Sequence, residues 1–403
     1  MDADVIKLTV DEFGTVEDHI SKEQKAVKRF TWLNSKSNVS VQLISYGAMI
    51  TSVKLPSQTG EIADIALGFD SIEGYVKNGN SAYIASMMGR VANRIANGEF
   101  ELSGAKHVLA KNFLGKHSLH GGVIGFDKFN WDSHVDGTTV YLTHVSPDGY
   151  EGYPGTVLVT AECKLSDDDS FSMNISAVSS KPTIINISNH SYFNLAGHDQ
   201  GYKELYKHKL TINADKILAI TPEQIPTGEL LDVGDTNFDF RLAKDIGTAI
   251  SKTPGNGFDH SYVLTLESSQ SLAFVGCVVH PVSGRTMEVY SDQPSVLFYT
   301  SNNLPNPCGN INPSLPDADA DCGKKSNVIG KGGAPYKKHG AFCLETQKHA
   351  DAINHVKPSP IKPLEREIMF CAFQKNFPSI ILNPGNVYRN ETIYKFGVYH
   401  GDE

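Results

Sequence analysis

Six segments of the sequence carry polar side chains where the local pattern favours an apolar residue or a turn. The clearest is Glu345, in the otherwise apolar run AFCLET, because burying a carboxylate is costly unless it is paired. A lone histidine at such a place is more often a hydrogen-bonded core residue than a catalytic one. As a set, however, carboxylate, amide, guanidinium and imidazole groups beside aromatic residues suit a sugar, whose hydroxyls need polar partners and whose ring needs flat apolar faces. The other residues of the set are Asn93, Arg94, His120, His190, Asp259 and Gln293.

Motifs for other chemistries are incomplete. The acidic run at 317–321 begins like a calcium-binding loop, but Cys322 replaces the turn glycine and Val328 replaces the bidentate glutamate. The segment GKGGAPYKK lacks the Lys-Ser/Thr end of a phosphate-binding loop, and the sequence has no H-E-x-x-H or G-x-S-x-G motif. The residues therefore give no anchor for a metal centre, a nucleotide-phosphate loop or a serine hydrolase.

The segments that contain and connect these residues have the pattern of β-strands almost throughout. β-Branched and aromatic residues alternate with polar ones between turn residues, and helical periodicity is weak, best at Leu242 to Ser251. This pattern predicts an all-β sandwich or barrel in one domain, residues 1–403. Two segments, at about 304–330 and 356–375, have the composition of inserted loops. Typical strand segments are VSVQLISYGAMITSVKLP, GTVLVTAECKLS and FSMNISAVSS.

Composition excludes several classes of partner. The 403 residues include 36 basic and 45 acidic ones, a net charge of −9, which argues against a nucleic-acid partner. The sequence has no apolar run long enough for a membrane span, and its first residues lack the apolar stretch of a signal peptide. The six cysteines are scattered without C-x-x-C spacing, as expected for reduced thiols. We therefore expect a cytoplasmic protein without a membrane partner.

Seven segments, in order, resemble the aldose 1-epimerase (galactose mutarotase) family, and the similarity runs from about Thr31 to Gly397. This resemblance implies a large antiparallel β-sandwich of the galactose mutarotase-like type with few short helices. It also implies a monosaccharide on the concave face and no metal or organic cofactor. The seven segments are GRVANRIANGEFEL, LHGGVIGFDKFNW, NHSYFNLAG, GFDHSYVL, SDQPSVLFYTSN, FCLETQKHADAIN and NPGNVYRNETIYKFG.

The resemblance also implies roles for individual residues. His190 takes the position of the general acid, and Glu345 takes that of the general base. The two predicted insertions flank Glu345 in sequence and are departures from the family pattern. The implied substrates are galactose and glucose, and the implied assembly is a monomer or a weak dimer. The positions that match substrate-binding residues of the family are Asn93, Arg94, His120, Tyr192, Asp259 and Gln293.

The chemistry of anomer interconversion explains the two catalytic residue types. A base removes the proton of the C1 hydroxyl while an acid protonates the ring oxygen; the ring opens, the C1–C2 bond rotates, and closure reverses the roles. With ordinary pKa values near 4.3 and 6.5, Glu345 is expected as a carboxylate and His190 as an imidazolium after modest tuning.

Three other functions remain open at this point. A non-catalytic sugar-binding or regulatory module would share the fold, but it would not need an acid and a base together. A glycoside hydrolase needs two carboxylates, and only Asp259 could join Glu345. An enzyme for sugar phosphates needs a basic cradle, for which the matched segments offer only Arg94.

Overall fold

The computed structural model describes residues 5–77, 82–253, 257–265, 272–305, 328–357, 372–373 and 377–399. In this part of the chain the α-helices are short: α1 (Ile72–Lys77), α2 (Gly201–Leu205) and α3 (Ile246–Ile250). Helix α3 lies within the stretch where the sequence showed weak helical periodicity. None of the helices among these residues is long and apolar enough to cross a membrane.

The strands make up most of the described structure. In chain order they are β1 (Ile6–Glu17), β2 (Gln24–Asn34), β3 (Ser40–Ile44), β4 (Met49–Pro56), β5 (Ile62–Asp64), β6 (Met87–Met88), β7 (Arg94–Ile95), β8 (Glu99–Leu102), β9 (Ala105–Val108), β10 (Ser118–Leu119), β11 (Asp132–Asp136), β12 (Thr139–Ser146), β13 (Val157–Leu165), β14 (Ser170–Ser179), β15 (Thr183–Ile184), β16 (Ser188–Asn189), β17 (Lys209–Ile212), β18 (Ala214–Ile220), β19 (Pro226–Asp232), β20 (Lys244–Asp245), β21 (Asp259–Leu264), β22 (Ala273–Val279), β23 (Arg285–Ser291), β24 (Ser295–Tyr299), β25 (Val328–Ile329), β26 (Pro335–Tyr336), β27 (Cys343–Gln347), β28 (Val356–Lys357), β29 (Ala372–Phe373), β30 (Ile381–Leu382) and β31 (Tyr388–Val398).

Three antiparallel sheets dominate the topology. A nine-stranded sheet has the order β11-β12-β13-β14-β31-β23-β22-β17-β20. One five-stranded sheet runs β1-β2-β3-β4-β5, and the other runs β19-β18-β21-β24-β27. The remaining strands form two-stranded pairs. The all-β, antiparallel fold predicted from the sequence is confirmed.

The alternation of side chains decides which face of each strand is buried. In β13, Val157, Val159, Ala161 and the later odd-numbered residues are fully buried, while the even-numbered residues between them are at least partly exposed. Strands β24 and β27 are instead buried at every position. The largest hydrophobic cluster joins the nine-stranded sheet to both five-stranded sheets.

The two predicted insertions fall largely outside the described residues. Of the first, residues 306–327 are not described; the chain resumes in β25, which pairs with β26. Next to β25, the Lys331 ammonium contacts the Asp64 carboxylate at 2.6 Å. Of the second, only the ends are described, where β28 pairs with β29. The assignment of residues 1–403 to one domain stays a prediction.

Candidate active site

One cavity of about 700 Å³ collects most of the residues singled out in the sequence. The segments that meet there are far apart along the chain, from the turn before β6 to strand β27. Gln293 is not among the lining residues. The predicted site residues that line the cavity are Asn93, Arg94, His120, His190, Tyr192, Asp259 and Glu345.

Strands β21, β24 and β27 carry the two carboxylates of the site. Their register places Asp259 beside Tyr299 and Leu297 beside Glu345. Because alternate residues of a strand face the same side, all four side chains belong to one face of this sheet. The opposite face contributes residues such as Phe298 to the main core. Glu345 is a buried carboxylate in an apolar run because its strand, β27, has one face toward the core and the other toward the cavity.

Two short strand pairs hold the nitrogen-bearing groups. His190 directly follows β16, and its backbone N–H donates to the carbonyl of Ser86 at 2.8 Å. Asn93 directly precedes β7 and His120 directly follows β10, the partner of β7. The backbone N–H of Asn93 donates to Nδ1 of His120 at 3.1 Å. Burial lowers the pKa of His120 well below its ordinary value. A neutral ring that accepts at Nδ1 carries its proton on Nε2, where it can donate to a sugar hydroxyl.

His190 and Glu345 face each other at the inner end of the site. Nδ1 of His190 lies 3.4 Å from Oε1 of Glu345, and the two residues are 6% and 0% exposed. Within the described part of the chain, neither carboxylate oxygen nor Nδ1 has a hydrogen-bond partner. Buried polar atoms without partners are costly, and those in a binding cavity can be satisfied by a ligand.

Burial controls the protonation of this pair. It lowers the pKa of His190 to about 3 and raises the pKa of Glu345 well above its ordinary value, with the nearby charge of Asp259 adding to the rise. Burial therefore favours a neutral imidazole on His190 and a protonated carboxyl group on Glu345. This differs from the imidazolium and carboxylate expected from ordinary pKa values, because both groups are buried. The two arrangements nevertheless contain the same number of protons.

Arg94 and Asp259 form the charged side of the cavity. The Arg94 guanidinium lies 3.3 Å from the Asp259 carboxylate, and it also donates to Oδ1 of Asn93 at 3.2 Å. Its face lies over the ring of Phe113, 4.6 Å from the ring centre. Arg94 Nε is buried without a hydrogen-bond partner among the described residues.

Aromatic rings form the apolar walls. The Tyr192 ring lies parallel to His190 at 4.9 Å, and its hydroxyl donates to the carbonyl of Ala82 at 2.6 Å. Tyr83 and Tyr299 also pack around His190, at 6.4 and 5.8 Å between ring centres.

Sequence reasoning did not single out Tyr83, Phe113 or Tyr299, although all three line the cavity. Strand alternation could have identified Tyr299, because it lies two residues after Leu297 and therefore on the same face of β24. Phe113 and Tyr83 lie outside the named strands, where side-chain periodicity gives no signal.

Gln293 lies just before β24, on the sheet that carries Glu345. It is buried, and its side-chain N–H groups donate to Asp292 at 2.6 Å and to the carbonyl of Arg389 at 3.1 Å. Its side-chain oxygen has no partner among the described residues. A sugar contact for Gln293 stays a prediction.

The Cys343 sulfur lies close to His190 and Glu345. One ligand atom each from His190, Cys343 and Glu345 lies within 4.8 Å of the other two. These are donor types that zinc accepts. Burial raises the pKa of the Cys343 thiol well above its ordinary value, so the sulfur is protonated and is a poor ligand in this state.

Comparisons with known proteins point to one family. The sequence profile of a family described as Aldose 1-epimerase matches residues 29–395. A galactose mutarotase from Bos taurus is 40% identical over 358 residues, which cover 89% of this chain and 91% of the relative. An aldose 1-epimerase from Haemophilus influenzae is 32% identical over 327 residues, 80% of this chain and 87% of the relative. A crystal structure of an aldose epimerase homologue from C. elegans superposes with a TM-score of 0.74 at 24% identity, over 90% of this chain and 97% of that one.

Proposed function

Because this chain belongs to the aldose 1-epimerase family and is an isomerase of that class, we propose that it interconverts the α and β anomers of galactose and glucose, with His190 and Glu345 as its acid–base pair. The observation that carries the proposal is the pair itself. Its two side chains are 3.4 Å apart, buried, and without hydrogen-bond partners among the described residues, in a cavity lined by sugar-binding side-chain types.

The chemistry needs one proton shared between two groups. Ring opening takes a proton from the C1 hydroxyl and gives one to the ring oxygen, so the pair ends with the same number of protons as it began. Glu345 as the base and His190 as the acid require the imidazolium–carboxylate arrangement. Burial favours that proton on Glu345, and its transfer to His190, whose Nδ1 lies 3.4 Å from Oε1 of Glu345, produces the reactive arrangement without uptake or loss of a proton.

The surrounding residues can hold the sugar during the opened stage. Asp259, Arg94 and the Nε2 proton of His120 offer an acceptor and two donors, while the tyrosine rings exclude water. Holding the hydroxyls at these groups leaves C1 and the ring oxygen for His190 and Glu345.

Polarimetry of freshly dissolved α-D-galactose tests the proposal. We expect micromolar protein to accelerate the drift to the equilibrium rotation, with a rate proportional to protein concentration. Methyl α-D-galactoside is the matched control, because it has no free anomeric hydroxyl and should show no change. Galactose released from the methyl glycoside would support the hydrolase alternative. Galactose binding without any faster drift would support the non-catalytic module.

We further propose a cytoplasmic location and a monomeric or weakly dimeric state. The three cysteines within the described residues, Cys163, Cys277 and Cys343, are free thiols, which supports a reducing compartment. Light scattering after size-exclusion chromatography checks the assembly.

A further inference from the structure

Gln224 joins the charged side of the cavity from a turn that the sequence analysis did not single out. It lies between β18 and β19, in a turn closed by backbone hydrogen bonds between Thr221 and Ile225 and between Gln224 and Thr221, both 2.8 Å. Its side-chain oxygen accepts from Nη2 of Arg94 at 2.6 Å. Its side-chain N–H donates to Oδ2 of Asp259 at 2.8 Å. One amide therefore connects two predicted sugar-binding residues from distant segments.

The two partners fix the orientation of this amide. A guanidinium only donates hydrogen bonds and a carboxylate only accepts them, so the Gln224 oxygen must face Arg94 and its nitrogen must face Asp259. A leucine at this position would keep most of the volume but make neither bond. A glutamate would keep the acceptor for Arg94 but place a second carboxylate against Asp259.

The bonds to Gln224 determine which atoms of its partners are left for a ligand. Within the described part of the chain, both hydrogen bonds from side chains to Asp259 go to Oδ2, so Oδ1 remains available. On Arg94, Nη1 donates to Asn93 and Nη2 donates to Gln224 and Asp259, whereas Nε has no hydrogen-bond partner among the described residues. The amide thus orients a free acceptor on Asp259 and the remaining N–H donors of Arg94, as recognition of a sugar hydroxyl requires.

The turn is also held from its outer side. The Glu223 carboxylate contacts the Lys116 ammonium at 2.7 Å and Nε2 of His117 at 3.2 Å. Lys116 and His117 directly precede β10, which leads into His120. Glu223 therefore connects the turn to the segment before His120, and Gln224 connects it to Arg94 and Asp259.

We propose that Gln224 is a positioning residue that orients Arg94 and Asp259 toward the hydroxyl groups of the sugar. The inference rests on the proposed function, because it takes a neutral aldose as the ligand. Gln224 has no hydrogen bond to His190 or Glu345 among the described residues, so it acts on sugar binding and leaves the proton transfers unchanged.

The test compares Gln224→Leu and Gln224→Glu with the wild type, using polarimetry for KM and kcat and calorimetric titration with D-galactose for Kd. We expect both substitutions to raise KM and Kd by about tenfold or more, the usual effect of losing a hydrogen bond to a charged group. For Gln224→Leu we expect kcat to change by less than about threefold, since this variant adds no charge near the acid–base pair. Glu229→Gln, an exposed substitution on the same hairpin, is the matched control and should leave KM, kcat and the melting temperature unchanged.

The possible outcomes separate this inference from the proposed function. KM and Kd within twofold of the wild type, with only a lower melting temperature, would show a purely structural role and overturn the inference. A loss of kcat as large as the rise in KM would overturn it too, because Gln224 would then act on the chemical step. If the wild type binds galactose without turnover, the proposed function fails, while the Kd values of the variants still decide the role of Gln224. Absence of galactose binding by the wild type would overturn both.

Discussion

Burial shifts the pKa values of individual residues in the cavity. His190 and Glu345 are ordinary side chains in water, where their pKa values lie about two units apart. Inside the cavity the neutral form of each is favoured, so their pKa values move in opposite directions. The state with one proton on the pair, which anomer interconversion needs, is consequently populated over a wide pH range.

This wide range gives a pH prediction. The pair gains a second proton only below the His190 pKa of about 3, and it loses its proton only above the raised pKa of Glu345. With ordinary values, the one-proton state would instead dominate only between about pH 4.3 and 6.5. We therefore expect kcat/KM for galactose not to fall as the pH rises through 6.5, the ordinary pKa of histidine, after subtraction of the uncatalysed rate at each pH. A fall in kcat/KM as the pH rises through 6.5 would show an ordinary His190 and contradict this assignment.

If His190 and Glu345 are the acid–base pair, removal of either group should slow the shared proton transfer. We expect His190→Asn and Glu345→Gln each to lower kcat by roughly 10²–10⁴, the usual contribution of one acid–base group. The double variant should be scarcely slower than the slower single variant, because the two groups act as a unit. Polarimetry with all three variants measures this. Losses that multiply in the double variant would argue for two independent groups.

At the level of elements, strand alternation was readable from the sequence, but short irregular connections were not. The odd-numbered core positions of β13 follow a simple pattern, as does the placement of Tyr299 and Leu297 on one face of β24. The turn that brings Gln224 to Arg94 has no such periodicity. Its position depends on side-chain hydrogen bonds to distant segments, which local sequence patterns do not encode.

The glycine after His120 tests how closely the surrounding backbone packs at this turn. Gly121 has a φ of +89°, and a Cβ atom there would lie 2.0 Å from the carbonyl oxygen of Gly89. Gly104 also has a positive φ, +78°, but a Cβ atom there would meet nothing within 4 Å. We expect Gly121→Ala to lower the free energy of unfolding by at least about 1 kcal/mol more than Gly104→Ala does. Its KM should also rise, because His120 is displaced. Urea denaturation and polarimetry check both effects; equal stability of the two variants would contradict the crowding at Gly121.

On the scale of the whole molecule, the sequence predicted the fold class and the set of cavity residues far better than their electrostatics. Seven ordered segments sufficed to group His190, Glu345 and Asp259 before any geometry was known. The protonation of His190 and Glu345 could not be predicted, because their pKa shifts depend on burial in the folded chain. The aromatic wall residue Tyr83 and the amide of Gln224 likewise become visible only when distant segments meet.

The net charge of −9 also leads to a prediction about the substrate. A neutral aldose is not steered by the field of an acidic protein, whereas a sugar phosphate is repelled by it. We expect kcat/KM for galactose to change by less than about twofold between 20 and 500 mM NaCl. Initial rates measured across this range of NaCl concentration, with the uncatalysed rate subtracted, test this salt dependence. A steep dependence on salt would instead favour a charged substrate.

We expect the His190–Glu345 pair to exchange the two anomers of an aldose. Magnetisation transfer between the anomeric protons of D-galactose at equilibrium measures that exchange directly by NMR, without any change in composition. We predict that micromolar wild-type protein produces transfer in both directions, whereas the His190→Asn/Glu345→Gln double variant leaves the spectrum as it is without protein. Absence of transfer with the wild type, or equal transfer with the double variant, would contradict the claim.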